Sequence, residues 1–161
     1  MSKSLKRVRA ALEAADVPVN IRETALARTA VDAAAALACE VDQIAKSIVL
    51  QGAPTGEALL FVTAGGARVD IDQAAELAGE PLIKAEAALV RGQTGFAIGG
   101  VSPVGHIGET RKWFDETLLR FDIVWAAAGT PHHVFGLDPH AMVALSGAAR
   151  ADFIEDARRR A

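Results

Sequence analysis

The chain has 161 residues, 51% of them apolar and 23% charged, a composition that indicates a folded globular protein and excludes a disordered chain. This length predicts a single domain over residues 1–161 whose core needs no stabilising disulfide or metal. Cys39 is the only cysteine, which excludes an intramolecular disulfide and a multi-cysteine zinc site. The formal net charge of -3 argues against a protein that coats nucleic acid with a broad positive surface.

The sequence contains no recognisable secretory or membrane-spanning segment. Residues 1–9 are basic and amphipathic but no apolar run follows them, and no stretch reaches the roughly eighteen uninterrupted apolar residues that a membrane span needs. We therefore expect a cytoplasmic protein without a membrane partner. The single cysteine fits a reducing compartment.

The first half of the chain is predicted to form two helices and a β-hairpin. Leu5, Val8 and Leu12 are spaced as in an amphipathic helix, and Thr29 has the position of an N-cap before an alanine-rich helix. Two buried strands follow, joined by a glycine-containing turn. The predicted elements are helix 2–15, strand 19–22, helix 30–38, helical turn 42–45, strand 46–50, turn 52–56 and strand 58–63.

The second half is predicted to contain further short strands between helices. Asp72 is the predicted cap of a helix closed by Gly79, and Asp138 before Pro139 indicates another helix start. The predicted elements are helix 73–78, strand 82–84, helix 86–91, a strand entering a rigid loop within 95–106, strand 113–115, helical turn 116–120, strand 123–128, turn 129–131, strand 132–137, helix 139–146 and helix 148–160.

This succession predicts the fold class. About seven short strands alternate with four or five helices, and tight turns join several strand pairs directly. Few strands are separated by a full crossover helix, which favours a mainly antiparallel or mixed sheet over a doubly wound parallel one. The expected class is therefore α/β of the α+β type.

The segment Gly95–His106 is the first candidate for a functional site. Gly99 and Gly100 can adopt backbone angles closed to other residues, while Pro103 restricts its own φ and the conformation of Ser102 before it. Exposed backbone N–H groups in such a loop can stabilise a carbonyl oxygen that gains negative charge, or hold a phosphate. A glycine-rich hairpin without a ligand has the same pattern, so glycines alone do not decide between the two.

Lys46, at the start of an apolar strand, is the second candidate. A lysine there is commonly a solvated strand end. Alternatively, it points into a cleft and supplies a fixed positive charge to a phosphate or carbonyl group.

Several familiar sites are absent from the sequence. Ser102 is not in a nucleophile elbow, and neither glycine-rich stretch has the lysine ending of a Walker loop. His132 and His133 would face opposite sides of a strand, so they are interpreted as structural rather than as ligands of one metal. Asp70 and Asp72 are interpreted as cap and surface residues. We expect no metal and no cofactor, and a site built from Lys46, the glycine loop and the small residues 126–129.

Three segments together resemble the YbaK/EbsC superfamily, the free-standing relatives of the editing domain of bacterial prolyl-tRNA synthetases. They occur in the family's order with suitable gaps and span most of the chain. The segments are CEVDQIAKSIV at 39–49, TGFAIGGVSPVGH at 94–106 and WAAAGTP at 125–131. Three motifs in register favour the cradle interpretation of the glycine loop over the hairpin.

The resemblance implies a compact α/β fold around a mixed, barrel-like sheet with flanking helices. It also implies hydrolysis of the ester that joins a wrong amino acid to tRNA, with Lys46 holding the tRNA 3′ end. The backbone cradle for the aminoacyl carbonyl would be Gly99, Gly100, Val101, Ser102 and Pro103. The remaining predicted substrate-binding residues are Thr29, Ser47, Gly105, His106, Ala128 and Gly129.

Some members of that superfamily carry an asparagine after the lysine and a histidine near the later strand. In this chain Ser47 follows the lysine, and the place of the histidine is assigned to residues 126–128. These differences argue against the pocket of the alanine-specific subtype.

The leading hypothesis is a trans-editing deacylase that acts on tRNA-Pro mischarged with a small amino acid such as alanine, cysteine, serine or 2-aminobutyrate. Aminoacyl-tRNA is then the substrate, and prolyl-tRNA synthetase is the protein partner that the resemblance suggests. The alternative is a non-catalytic module of the same fold that binds tRNA ends or a synthetase. DNA is not an expected partner, because no recognition helix with a basic face is evident.

Overall fold

The computed structural model describes residues 2–156, which form five α-helices and eight β-strands. Two short 3₁₀ helices, Val41–Gln43 and Glu116–Arg120, connect them. In chain order the elements are α1 (Lys3–Ala14), β1 (Ile21–Glu23), α2 (Ala30–Leu37), β2 (Ala45–Gly52), β3 (Ala58–Ala64), α3 (Ile71–Ala78), β4 (Leu82–Lys84), α4 (Ala87–Thr94), β5 (Arg111–Asp115), β6 (Val124–Thr130), β7 (His133–Leu137), α5 (Pro139–Ser146) and β8 (Ala149–Ala151).

The strands form two sheets. The larger sheet has the order β4-β2-β3-β5-β8 and is mixed, because β2 pairs antiparallel with β3 and β4 whereas β5 pairs parallel with β3 and β8. The smaller sheet, β1-β7-β6, is antiparallel. A parallel bridge between Ile44 and Trp125 connects the start of β2 to β6. The predicted class, a mixed α+β fold, is confirmed.

Three groups of buried side chains hold these layers together. The largest lies under α1, where Leu5, Val8 and Leu12 pack against both sheets, as their spacing predicts. A second group, around Phe61, lies beneath α3. A third, small group joins α2 to the two sheets and consists of Ala33, Ala34, Ile44 and Trp125. This third group places α2 beside the first residues of β2.

Two predicted helix caps are confirmed and one is wrong. The Thr29 hydroxyl accepts from the amide of Asp32, and the Asp138 carboxylate accepts from two amides of α5. In α3 the cap is Asp70, which accepts from the amides of Asp72 and Gln73. The helix therefore starts two residues earlier than predicted, and Asp72 lies in its first turn.

Two further predictions are wrong in detail. Gly95–His106 contains no strand and is a loop throughout, consistent with positive φ at Gly95, Gly99 and Gly105. The predicted turn 129–131 is shifted, because β6 continues through Thr130 with a register irregularity after Ala127. The turn itself is at residues 131–132.

The predicted C-terminal helix 148–160 is replaced, where the chain is described, by the edge strand β8. This strand pairs with β5 from Trp113 to Asp115. Its pairing partner is distant in sequence, and this contact outweighs the local preference of an alanine- and arginine-rich segment for a helix. Residues 157–160 of the predicted helix lie outside the described residues.

Across residues 2–156, every helix is too short or too polar to traverse a lipid bilayer.

Candidate active site

A cavity of about 480 Å³ lies between α2, the start of β2, β6 and the loop after α4. The N-terminal half of α2 forms one wall, and Ala126 and Ala127 of β6 form part of another. The bridge between Ile44 and Trp125 holds these walls together, since both residues also line the cavity. Alanine and valine are the commonest residues in its lining.

The structure brings five of the predicted site residues to this one cavity. They come from three separate parts of the chain: the start of α2, the start of β2 and the glycine loop. The five are Thr29, Lys46, Ser47, Gly99 and Val101. The lysine and the glycine loop thus meet at the same cavity, as the family resemblance implies.

Lys46 is held by backbone carbonyl groups of the turn after β3. Its ammonium donates to the carbonyl oxygens of Gly65, at 3.2 Å, and Ala67, at 2.5 Å. Because an ammonium has three N–H donors, one remains for a ligand in the cavity. Burial lowers the pKa of Lys46, as does the charge of Arg68, whereas Asp42 acts in the opposite direction.

Ser47, the next residue of β2, also lines the cavity. Its Oγ atom is buried and has no hydrogen-bond partner among residues 2–156. Thr29 differs, because its hydroxyl already accepts the amide of Asp32 as the cap of α2.

The glycine loop contributes main-chain groups. The amide of Gly100 donates to the carbonyl of Ala97, 3.0 Å away, which closes a turn around Gly99 at φ 95°. Gly99 and Val101 both line the cavity, and their amides donate to no acceptor in the described part of the chain. Such amides can stabilise negative charge on a carbonyl oxygen.

Ser102 has no access to the cavity. Its side chain is fully buried, and its Oγ accepts from the amide of Val104 at 3.2 Å. Cys39 also lies outside the cavity wall, and burial raises the pKa of its thiol, as does neighbouring Glu40. Neither side chain is placed as a nucleophile for a ligand in the cavity.

The other predicted site residues lie behind the cavity wall. Gly100 packs against the backbone of Gly129, and Gly129 packs against the backbone of Ser4 in α1. Gly105 lies against the backbone of Arg7, and Ala128 is buried in the main core. Pro103 is not part of the cavity wall either. These residues allow the loop, β6 and α1 to pack closely on one another. They therefore support the cavity wall from behind and are not part of its surface.

His106 also lies behind the loop. Its Nε2 contacts the carbonyl oxygen of Ser102, its Nδ1 is 3.1 Å from the hydroxyl of Thr110, and its ring packs edge-on against Phe96. Since a carbonyl only accepts, Nε2 is the donor and Nδ1 accepts the hydroxyl proton. Burial, reinforced by the charge of Lys112, lowers the pKa of His106 to about 4.

Three cavity residues were not among the predicted site residues. His133 lines the cavity, with its Nδ1 2.7 Å from the hydroxyl of Thr130, and Trp125 and Arg28 line it as well. A histidine therefore does stand at a later strand, although its place was assigned to residues 126–128. The sequence signal was the position of His133 immediately after the turn that follows β6, since this turn directs β7 back beside the β6 wall.

The cavity is lined by two cations, Arg28 and Lys46, and by no acidic residue among those described, in a protein whose net charge is negative. Arg28 is exposed at the cavity, Arg68 influences Lys46, and the Arg22 guanidinium lies 4.7 Å from the centre of the Trp125 ring. Within residues 2–156 no three histidine, cysteine or acidic side chains are grouped as metal ligands. The site can therefore attract an anion and polarise a carbonyl group.

Comparison with known proteins gives consistent results. Residues 24–145 match the family model described as "Aminoacyl-tRNA editing domain". A Bacillus subtilis (strain 168) protein, YwhH, described as uncharacterized, is 31% identical over 111 residues, which are 69% of this chain and 70% of that protein.

Two solved structures have the same fold over nearly the whole chain. One, described as "a putative trans-editing enzyme for prolyl tRNA synthetase", is 44% identical with a TM-score of 0.88, over 97% of this chain and 99% of the other. The second, the hypothetical protein APE2540, is 28% identical with a TM-score of 0.84, over 92% of this chain and 99% of the other.

Proposed function

The chain belongs to the aminoacyl-tRNA editing domain family, and from this membership we propose that it is a trans-editing deacylase that hydrolyses the ester of mischarged tRNA. The observation that carries the proposal is the meeting of the Lys46 ammonium with the unpaired amides of Gly99 and Val101 at one cavity. A cation can pair with a phosphate near the ester, and unpaired amides can stabilise the ester's oxyanion.

The proposed reaction needs no nucleophile from the protein. An aminoacyl ester is already activated, so aligning water and stabilising the oxyanion can be sufficient. Water adds to the carbonyl carbon, the bond from this carbon to the ribose oxygen breaks, and that oxygen leaves with a proton. The amides of Gly99 and Val101 would stabilise the carbonyl oxygen as it gains charge. For a cysteinyl ester, the substrate's own thiol can take the place of water.

Lys46 would hold the 3′ end of the tRNA. Two of its donors are used by carbonyl groups, and these fix the ammonium where the third reaches a phosphate or hydroxyl oxygen. Arg28, exposed at the same cavity, adds a second cation for the backbone of the acceptor end. Three further cavity residues belong to the proposed substrate contacts: Thr29, Ser47 and His133.

The residues behind the wall have a different proposed role. They would position the loop and β6 without touching the substrate. These residues are Gly100, Ser102, Pro103, Gly105, His106, Ala128 and Gly129. The close backbone packing of Gly100 on Gly129 and of Gly129 on Ser4 supports this assignment.

We propose tRNA-Pro carrying a small amino acid as the substrate, with prolyl-tRNA synthetase as the partner that produces it. The relative described as "a putative trans-editing enzyme for prolyl tRNA synthetase" supports this assignment. Alanine side chains on the walls leave space for a small aminoacyl group, and selection against larger ones would come from steric exclusion.

The test is deacylation of tRNA-Pro charged with small amino acids, measured with and without prolyl-tRNA synthetase. We expect Lys46→Ala to lower kcat/KM by about a hundredfold or more, because it removes the fixed charge that would hold and position the tRNA 3′ end. Lys112→Ala is the matched control, since Lys112 is also partly buried and donates to a carbonyl, yet lies outside the cavity.

Lys112→Ala should leave the rate unchanged. An unchanged rate in folded Lys46→Ala would remove this residue from the mechanism. Binding of the charged tRNA without turnover, both with and without the synthetase, would instead identify a non-catalytic binding module.

A further inference from the structure

The Lys46 ammonium is held by a turn that lies outside its own strand. The chain leaves β3 at Ala64 and folds back over residues 64–67, where the amide of Ala67 donates to the carbonyl of Ala64 at 2.9 Å. The carbonyl oxygens of Gly65 and Ala67 accept from the ammonium, and Gly65 itself lines the cavity. The groups that fix this turn therefore also fix the position of the ammonium.

Two carboxylates hold the turn by accepting its amides. Asp115 is buried, and its Oδ2 accepts the amide of Ala64 at 3.0 Å. The Oδ1 of Asp42 accepts the amide of Gly66 at 2.8 Å, and Gly66 lies between the two residues whose carbonyls hold the lysine. Neither carboxylate belongs to the cavity lining. Because a charged acceptor strengthens a hydrogen bond to an amide, these two contacts resist movement of the turn.

Asp42 has a defined position of its own. It lies in the 3₁₀ helix Val41–Gln43, and its second oxygen, Oδ2, pairs with Arg120 at 3.1 Å. The turn packs so closely on this helix that a Cβ added at Gly65 would lie 2.2 Å from the carbonyl oxygen of Val41. The ion pair and the close packing together keep Oδ1 directed at the turn.

We propose that Asp42 is a positioning residue for Lys46, because through the amide of Gly66 it fixes the turn whose carbonyls hold the ammonium at the cavity. This inference rests on the proposed deacylase function, in which Lys46 holds the tRNA 3′ end. Burial, followed by the charge of Arg68, lowers the pKa of Lys46, whereas the charge of Asp42 raises it. The variants must therefore separate the hydrogen bond of Asp42 from its charge.

The experiment is a double-mutant cycle on the deacylation of mischarged tRNA-Pro. Asp42→Ala is expected to lower kcat/KM on the order of tenfold, because the ammonium loses its fixed position. In the Lys46→Ala background the same substitution should cause no further loss, since Asp42 acts through the lysine. Asp42→Asn keeps an oxygen that can accept the Gly66 amide and should retain most of the wild-type rate.

Glu57→Ala is the matched control. Glu57 forms an ion pair with Arg111 at 3.0 Å, and the two carboxylate side chains are similarly exposed, 35% for Glu57 and 40% for Asp42. Glu57 and Arg111 both lie outside the cavity lining, so Glu57→Ala should match the wild-type rate. Thermal unfolding monitored by circular dichroism establishes that each variant is folded.

A second measurement does not depend on catalysis. The mobility of the Lys46 side chain is obtained from the ¹³C relaxation of its ε-methylene group in lysine-labelled protein, with the resonance assigned by its absence from Lys46→Ala. Asp42→Ala should increase this mobility, whereas Asp42→Asn and Glu57→Ala should leave it unchanged.

Four results would overturn the inference while leaving the deacylase intact. They are an unchanged rate in Asp42→Ala, an equal loss from Asp42→Ala with and without Lys46, a rate in Asp42→Asn as low as in Asp42→Ala, and unchanged mobility of Lys46 in Asp42→Ala. Failure of the folded wild type to hydrolyse any mischarged tRNA-Pro would instead overturn the proposed function. The mobility of Lys46 would still decide whether Asp42 fixes its position.

Discussion

Residues of the same type have different environments around the glycine loop. Ser102 is fully buried and its hydroxyl accepts an amide, whereas Ser47 lines the cavity and its buried hydroxyl has no partner among the described residues. His106 lies behind the loop between two hydrogen-bond partners, whereas His133 lines the cavity. Proximity in sequence to the glycine motif therefore does not identify the side chains that a ligand can reach.

The depressed pKa of His106 predicts a pH-dependent stability. Folding lowers this pKa from 6.5 to about 4, so the unfolded chain binds the proton more tightly than the folded one. The neutral ring's contribution to stability is fully present above pH 6.5 and is lost as the pH falls towards 4. Between pH 7.5 and 5 this group alone should reduce the free energy of unfolding by about 1–2 kcal/mol.

Urea unfolding at the two pH values, in the wild type and in His106→Gln, measures this contribution. The variant is less stable at pH 7.5, and its loss between pH 7.5 and 5 should be smaller by about the same 1–2 kcal/mol. An identical pH dependence in both proteins would contradict a neutral, desolvated ring.

At the scale of elements, the sequence correctly predicted those features that depend only on residues close together in the chain. The caps Thr29 and Asp138 and the spacing of apolar residues in α1 are patterns within a few residues, and these predictions are confirmed. Asp70 and Asp72 are both capping residue types, so sequence spacing did not distinguish them. The strand β8 depends on pairing with β5, which no local pattern encodes.

The site residues divide in the same way. The glycine loop and Lys46 were singled out from their local residue patterns and then supported by the family motifs, and both lie at the cavity. Arg28, Trp125 and His133 were not predicted as site residues, although Trp125 lies in a quoted motif and His133 was interpreted as structural. Their place at the cavity depends on how the segment before α2 packs against β6 and β7. The support role of Gly129 likewise depends on α1, which is distant in sequence.

The contact between β6 and α1 leads to a prediction for Gly129. Its φ of 97° disfavours other residues, and an added Cβ would lie 2.7 Å from the carbonyl carbon of Ser4. Gly147 also has a positive φ, 72°, but an added Cβ there meets nothing within 4 Å. Gly147→Ala should cost about 1–2 kcal/mol of stability from backbone strain alone, and Gly129→Ala about 1–3 kcal/mol more from the clash.

Urea unfolding measures both costs, and a deacylation assay separates their effects on the site. Because Gly100 packs on Gly129, Gly129→Ala should also displace the loop and slow the reaction, while Gly147→Ala leaves the rate unchanged. Equal destabilisation by the two variants would mean that α1 moves away from β6 without cost.

At the scale of the whole molecule, the protein carries a net charge of -3 and yet concentrates cations at the cavity. A tRNA acceptor end would therefore be attracted locally while the rest of the surface contributes repulsion. Such an arrangement favours weak overall binding with a defined orientation, which suits an enzyme that must release its product.

Arg28 and Lys84 provide the matched pair for testing this local attraction. Both are exposed, but Arg28 lines the cavity, whereas Lys84 pairs with Leu50 at the end of β2 opposite to Lys46. Removing one phosphate contact on a single strand lowers the slope of log affinity against log salt by about 0.7. Arg28→Gln should therefore weaken binding of aminoacyl-tRNA several-fold at low salt and flatten its salt dependence, with little change in kcat. Lys84→Gln should match the wild type, and equal salt slopes in all three proteins would place the tRNA backbone away from Arg28.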